Sequence, residues 1–247
     1  KNIKLFKPNM ILMVPLMIET FAKKLEDVKD LPEKVVKEAV FGSQFHTICS
    51  GGAYLNPEYI ELFERFGIQI LQGYGMTECS PVISTTVAWN VKKNSVGQLL
   101  PNCEAKTVDG ELWVRGSSVM QGYYKMPEET KTALKDGWLC TGDLGYVDEE
   151  RFIYLTGRKK NLIITKNGEN VSPEELENKL SSSRLVQEVL VREAKGVIEA
   201  EIYPDEEYAK KQGLEREEEV RVELQKLIDE YNQGAPAYNC LLYTSPS

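Results

Sequence analysis

Histidine is almost missing: His46 stands alone in 247 residues. It is read as structural, because nothing near it in sequence pairs it with a nucleophile. Cysteine is present but unorganised. Cys49, Cys79, Cys103, Cys140 and Cys240 form no CxxC pair and are odd in number, which argues against a disulfide framework or a zinc site and for reduced thiols in the cytoplasm. Basic charge is short, with 30 Lys and Arg against 38 Asp and Glu and a net charge of −8, so a nucleic-acid partner is excluded. Positive potential for an anionic substrate therefore has to be local. No apolar run reaches the roughly 18 residues of a membrane-spanning helix, and peripheral contact with a bilayer is compatible with the sequence. The longest run, residues 10–17, contains Pro15 and is expected to be a buried strand leading into a helix. With 42% hydrophobic residues, the length suits one large or two modest domains.

Chemistry concentrates in a short run, Gln72, Gly73, Tyr74, Gly75, Met76, Thr77 and Glu78. Glycine allows positive φ and close backbone approach. Tyr74 offers a flat face to a purine, Thr77 a hydrogen bond to phosphate, and Glu78 a hard oxygen to magnesium. The alternation of Ile68 and Ile70 before Leu71 predicts a strand that ends where the glycines begin, the place where α/β proteins commonly bind ligands. On its residues alone the run fits equally a plain strand-to-loop turn with Tyr74 in the core and Glu78 solvated. Cys79 follows the acid directly and is read as a packed thiol.

Elsewhere the pattern predicts an α/β body over residues 1–90. Asn56 is the N-cap and Pro57 the first-turn proline of a helix that sets Ile60, Phe63 and Phe66 on one face and ends at Gly67. Short alternating stretches such as 111–115 and 151–155 predict a small β subdomain at about 95–156. Beyond it, Ser172 and Glu175 form an expected capping box with Pro173 at the first helical position. Strands at 188–193 and 197–203 follow, then an amphipathic helix over about 216–231 burying Val220, Leu224, Leu227 and Tyr231. Residues 240–247, CLLYTSPS, look like the translation of a sequencing adaptor and are set aside as a suspected non-native tail.

Two further clusters join the first. Residues 110–145 read GELWVRGSSVMQGYYKMPEETKTALKDGWLCTGDLG and residues 157–175 read GRKKNLIITKNGENVSPEE. Together with GYGMTE, in this order, they resemble the core motifs of the adenylate-forming (AMP-binding) enzymes, specifically the long-chain acyl-CoA synthetase branch. The resemblance covers about residues 2–239. It implies an α/β fold class: part of a large adenylate-binding domain at 1–158, with the β subdomain inside it, followed by part of a small α+β domain at 159–239.

The resemblance also implies roles. Gly51, Gly52 and Ala53 would lie beside adenine, with Gln72 and Gly73 lining the same nucleotide site. Tyr74 would stack on the base, Thr77 would touch phosphate and Glu78 would bind Mg2+. Asp143 of the TGD triplet would hold the ribose diol and Arg158 would contact the nucleotide. Lys160 would be the hinge of the small domain, with Gly168 and, beside it, Asn167 on the path of CoA. Charge-assisted hydrogen bonds are worth roughly 1.5–3 kcal/mol each and aromatic stacking about 0.5–1.5 kcal/mol. Asp143 should therefore matter more than Tyr74.

The implied reaction takes a fatty acid, ATP and CoA through an acyl-adenylate to the thioester, with loading of a carrier protein as the alternative. Departures from the family pattern are Leu16, where many relatives have arginine after Val-Pro, and Tyr54, where many have proline. The Gly/Ser/Thr-rich phosphate loop and the C-terminal adenylation lysine of the family are not found, Lys226 being the last lysine. The chain is accordingly read as a fragment of a longer enzyme, inactive alone and in that state a non-catalytic nucleotide-binding remnant.

Overall fold

The structure is a computed structural model in which residues 2–28 and 30–245 are described. It divides into two compact units, Lys1–Leu155 and Thr156–Ser247, taken here one at a time.

The first unit opens with α1 (Asn2–Phe6), β1 (Met10–Met13), α2 (Pro15–Glu26), α3 (Glu33–Val40), β2 (Thr47–Gly51), α4 (Pro57–Arg65), β3 (Gln69–Gly75), β4 (Val82–Thr85) and β5 (Gln98–Leu99). The five strands form one sheet in the order β1-β2-β3-β4-β5. The first three run parallel and the last two antiparallel. Pro15 starts α2 because a missing N–H costs nothing at the first helical position. At α4 the Asn56 side chain accepts from the Glu58 N–H, as the sequence predicts. Phe63 and Phe66 are buried and Ile60 packs against them, while Leu62, not anticipated, is buried too. These helices close over Ile48, Ile68 and Ile70, with Phe41 stacked on Phe45 at 5.1 Å between ring centroids. Offset aromatic packing of this kind adds to simple area burial.

Two expectations fail here. The stretch from residue 10 is an edge strand rather than a buried one, with Met10 55% and Leu12 81% exposed. Only Met13 and, in part, Ile11 reach the core. Apolar residues alone said nothing about whether both faces of the strand are covered. Nor does β3 stop at the glycines, since it runs through Gly75 because Gly73, Tyr74 and Gly75 pair with β4.

The rest of the first unit is the β layer expected from the short alternating stretches: β6 (Cys103–Val108), β7 (Glu111–Gly116), α5 (Pro127–Ala133), β8 (Leu134–Lys135), β9 (Trp138–Val147) and β10 (Ile153–Arg158), whose last three residues are already part of the second unit. The order is β10-β9-β7-β6, with β8 paired to β9. Asp109 and Gly110 join β6 to β7 with positive φ at both residues, 50° and 80°. That is the type I′ geometry for which Asp-Gly is preferred.

In the second unit β11 (Ile163–Ile164) and β12 (Asn170–Val171) form a short hairpin. Then come α6 (Pro173–Leu180), β13 (Val186–Ala194), β14 (Val197–Pro204), α7 (Glu206–Lys211), α8 (Glu217–Gly234) and β15 (Leu241–Thr244). Leu176, Leu180, Ile198, Ile202, Leu224 and Ile228 share one core. The predicted capping box at α6 is not formed. Ser172 makes no cap bond and its hydroxyl donates instead to Glu174 at 3.1 Å. At α8 a one-sided cap forms instead, in which the Arg216 N–H donates to Glu219 at 3.1 Å. Val220, Leu227 and Tyr231 are partly buried around Leu224, and Ile228 is an unforeseen anchor.

Within the stretch set aside in the sequence, Leu241–Thr244 pairs parallel to β14, with Leu241 opposite Ile198 and 1% exposed. Pro246 and Ser247 lie outside the described residues. Among the described residues, no helix is long and apolar enough to cross a membrane.

Candidate nucleotide site

The site is built from the ends of β2 and β3 and the middle of β9. Glycine is needed on the first two for close approach rather than for unusual φ. A Cβ on Gly51 would lie 2.8 Å from the Gly73 carbonyl oxygen, and one on Gly75 would lie 1.9 Å from that of Pro81. Neither residue has positive φ, whereas Gly52, at +89°, does and faces open space, with Ala53 exposed beside it. The strands can therefore come together only where side chains are absent.

Tyr74 is 8% exposed and packs with Cys79, Ile83 and Leu139. Its hydroxyl donates to Asp143 Oδ2 at 2.6 Å. That length fits a strong O–H to carboxylate bond, and it joins two residues 69 positions apart in the chain. Asp143 is itself 4% exposed. The TGD triplet around it is held from both sides: the Thr141 hydroxyl donates to the Leu112 carbonyl at 2.7 Å, and the Asp143 N–H donates to Thr141 Oγ1 at 3.1 Å. The Gly142 N–H donates to Glu111 Oε1 at 2.9 Å. Glu111 is a buried acid that sequence reading placed only as the start of a strand. A carboxylate 5% exposed at a strand end has no local signature, because its partner arrives from β9.

Beyond Gly75 the chain makes a 3-10 turn, Thr77–Cys79. Thr77 is exposed and Glu78 half-buried. Tyr123 donates its hydroxyl to Glu78 Oε1 at 2.9 Å. Among the described residues no group of three or more His, Cys, Asp or Glu could hold a metal. Magnesium here would take one hard carboxylate oxygen from Glu78, with substrate phosphate oxygens and waters completing its shell, the usual arrangement for a nucleotide-borne Mg2+. Glu78 is an oxygen donor of the kind that ion takes. The Gln72 side-chain amide donates to the Ser95 carbonyl at 3.4 Å.

Cys79 is fully buried, and that burial, with the nearby Cys103 and Glu78, pushes its thiol up to about 12. A thiol so protonated is a packing group and not a nucleophile. Iodoacetamide at about pH 8 is expected to label the exposed Cys240 in the native protein and leave Cys79 unmodified, as peptide mass mapping would show. Equal labelling of both would contradict the packing.

The remaining expected residues belong to the second unit. Arg158 ends β10 and is exposed, and Lys160 sits exposed in the 3-10 turn Lys159–Asn161. Asn167 and Gly168 lie exposed in the β11–β12 turn, where Gly168 has φ +80° and its N–H donates to the Thr165 carbonyl at 2.9 Å.

Comparison with known proteins bears on this geometry. The AMP-binding enzyme profile matches residues 1–124, and that of the AMP-binding enzyme C-terminal domain matches residues 160–244. The chain belongs to the AMP-binding enzyme family. Among its relatives, the long-chain-fatty-acid–CoA ligase FadD15 of Mycobacterium bovis is 39% identical over 171 residues, which are 68% of this chain and 28% of that protein. The 4-coumarate–CoA ligase-like 4 of Oryza sativa is 42% identical over 165 residues, 60% of this chain and 30% of its own length. This family member thus spans less than a third of either relative. Among solved structures, O-succinylbenzoate coenzyme A synthetase (MenE) of Bacillus subtilis, in complex with ATP and magnesium ion, superposes with a TM-score of 0.73 at 28% identity, over 99% of this chain and 49% of that one.

Proposed function

We propose that the chain carries the nucleotide-holding part of an AMP-forming acyl-CoA ligase acting in the cytoplasm on a long-chain fatty acid. The observation behind this reading is the buried Tyr74–Asp143 hydrogen bond. It puts the GYGMTE and TGD motifs in one place, with Glu78 one turn further along β3's continuation. Long-chain acids are favoured because the M. bovis relative is named for them, although the rice and B. subtilis proteins are named for aromatic acids.

In this reading Asp143 grips the ribose hydroxyls. The Tyr74 side chain, with its hydroxyl committed to Asp143, backs the base beside the Gly51, Gly52 and Ala53 turn, and Thr77 donates to the α-phosphate. Glu78 would hold magnesium, which when bound would supply positive charge to the phosphates. Arg158 adds a cation to the nucleotide. A carboxylate oxygen of the fatty acid bonds to the α-phosphorus as the bond to pyrophosphate breaks. The CoA thiol, losing its proton, then bonds to the acyl carbon and AMP leaves. Preorganised dipoles aimed at developing charge are the main catalytic resource of such a site.

Lys160 is the pivot between the two steps, and Asn167 and Gly168 border the CoA path. In the full-length enzyme, Lys160→Pro is expected to keep acyl-adenylate formation within about twofold and to slow thioester formation on the order of 10-fold or more. The two half-reactions would be followed separately by pyrophosphate and thioester release, and equal loss of both would remove the pivot assignment. The reading as a whole is tested by screening acids of varied length and ring content for CoA-dependent AMP release by the full-length enzyme. Turnover of aromatic acids alone would overturn the fatty-acid assignment, and transfer only to a carrier protein would overturn the CoA assignment.

A further inference from the structure

Glu78 is gripped at two points by a single loop. The segment between β7 and α5 sends the Met120 N–H to the Glu78 carbonyl at 2.7 Å and the Tyr123 hydroxyl to Glu78 Oε1 at 2.9 Å. One contact fixes the backbone of the acid and the other its carboxylate. The loop is itself anchored: the Tyr123 N–H donates to Thr130 Oγ1 at 2.9 Å, and the Thr130 hydroxyl donates to the Met126 carbonyl at 2.7 Å. Gly122 has φ +151° and passes so near Thr130 that a Cβ would sit 2.7 Å from Cγ2. The phenol therefore arrives at Glu78 from a rigid support.

An unanchored glutamate has three soft torsions and loses much freedom when a ligand immobilises it. A single donor on Oε1 reduces that freedom beforehand while using only one of the two carboxylate oxygens. Tyr123 keeps 37% of its surface exposed, so its hydroxyl is not explained by core packing.

We infer that Tyr123 is a positioning residue, whose hydroxyl orients the Glu78 carboxylate so that its second oxygen meets the magnesium of the bound nucleotide. The inference rests on the magnesium role of Glu78 given above. Outer partners of metal-binding carboxylates typically govern affinity by 10- to 100-fold, and a metal shared with phosphates should sit near the lower end.

The test uses the full-length enzyme and calorimetric binding of ATP, with Mg2+ and with the metal removed by EDTA. Tyr123→Phe is expected to weaken Mg·ATP binding on the order of 10-fold. Metal-free ATP binding and the thermal midpoint of the unliganded protein should stay unchanged. Glu78→Gln should abolish the magnesium-dependent gain, and adding Tyr123→Phe to it should change nothing more. If Glu78→Gln removes the gain and Tyr123→Phe does not, the tyrosine inference falls while the role of Glu78 stands. If Glu78→Gln leaves the gain intact, the reading of Glu78 fails and takes the inference with it. Equal weakening of ATP binding with and without metal in Tyr123→Phe would make the tyrosine a loop anchor only, and would also overturn the inference.

Discussion

Replacing Asp143 with alanine in the full-length enzyme is expected to weaken AMP binding by two to three orders of magnitude. The carboxylate would accept from both ribose hydroxyls, and charge-assisted bonds contribute roughly 1.5–3 kcal/mol each. The variant also strands the Tyr74 hydroxyl, which now donates to Asp143 inside a core where both residues are less than a tenth exposed. An unsatisfied buried hydroxyl costs about 1–3 kcal/mol, so the variant should lose stability as well. Tyr74→Phe separates the two effects. It removes the donor, leaves the acid and the ring in place, and should lower AMP affinity far less than Asp143→Ala. Equilibrium binding of AMP by calorimetry reads both variants. Near-normal affinity in Asp143→Ala would show that the acid is only a brace for Tyr74.

Gly75→Ala should do comparable damage for a steric reason. The added methyl group would sit 1.9 Å from the Pro81 carbonyl oxygen and 2.9 Å from Val82 Cα. Both are backbone atoms that cannot swing aside. Overpacking commonly costs about 1–3 kcal/mol, and a backbone collision between paired strands should exceed about 3 kcal/mol or force β3 and β4 apart. Because β3 carries Tyr74 and leads into Thr77 and Glu78, nucleotide binding should fall with stability. Gly137→Ala is the control, since its Cβ would meet nothing within 4 Å although its φ is +78°. That change should cost only on the order of 1 kcal/mol. A thermal midpoint for Gly75→Ala as high as that of Gly137→Ala would refute the crowding argument.

Local chemistry was legible where partners lie close in sequence. Asn56 and Pro57 announce α4, short alternating stretches announce the β layer, and the glycines around Tyr74 allow a close backbone approach. Failures follow distance along the chain. Glu111 and Tyr123 take part in the site only because β9 and the 3-10 turn come to meet them. The run of glycines read as the end of β3, because nothing nearby signals that β4 will pair alongside it. Ser172 has the right neighbours for a capping box, yet its hydroxyl finds Glu174 first, and a competing side chain decides the outcome. Asp205, which caps α7 through the Tyr208 N–H, lay in a segment with too little hydrophobic rhythm to suggest a helix.

The outermost strand of the first sheet carries a consequence for handling the protein. Met10, Ile11, Leu12 and Met13 hold no charge, their outer hydrogen-bonding side has no neighbouring strand in the described sheet, and Leu12 projects from it. Strands of this kind serve as templates for further copies of themselves unless a lysine, a proline or a covering element intervenes. Purified by itself, the chain should scatter light increasingly with concentration, and Leu12→Lys should suppress that growth while leaving the nucleotide site untouched.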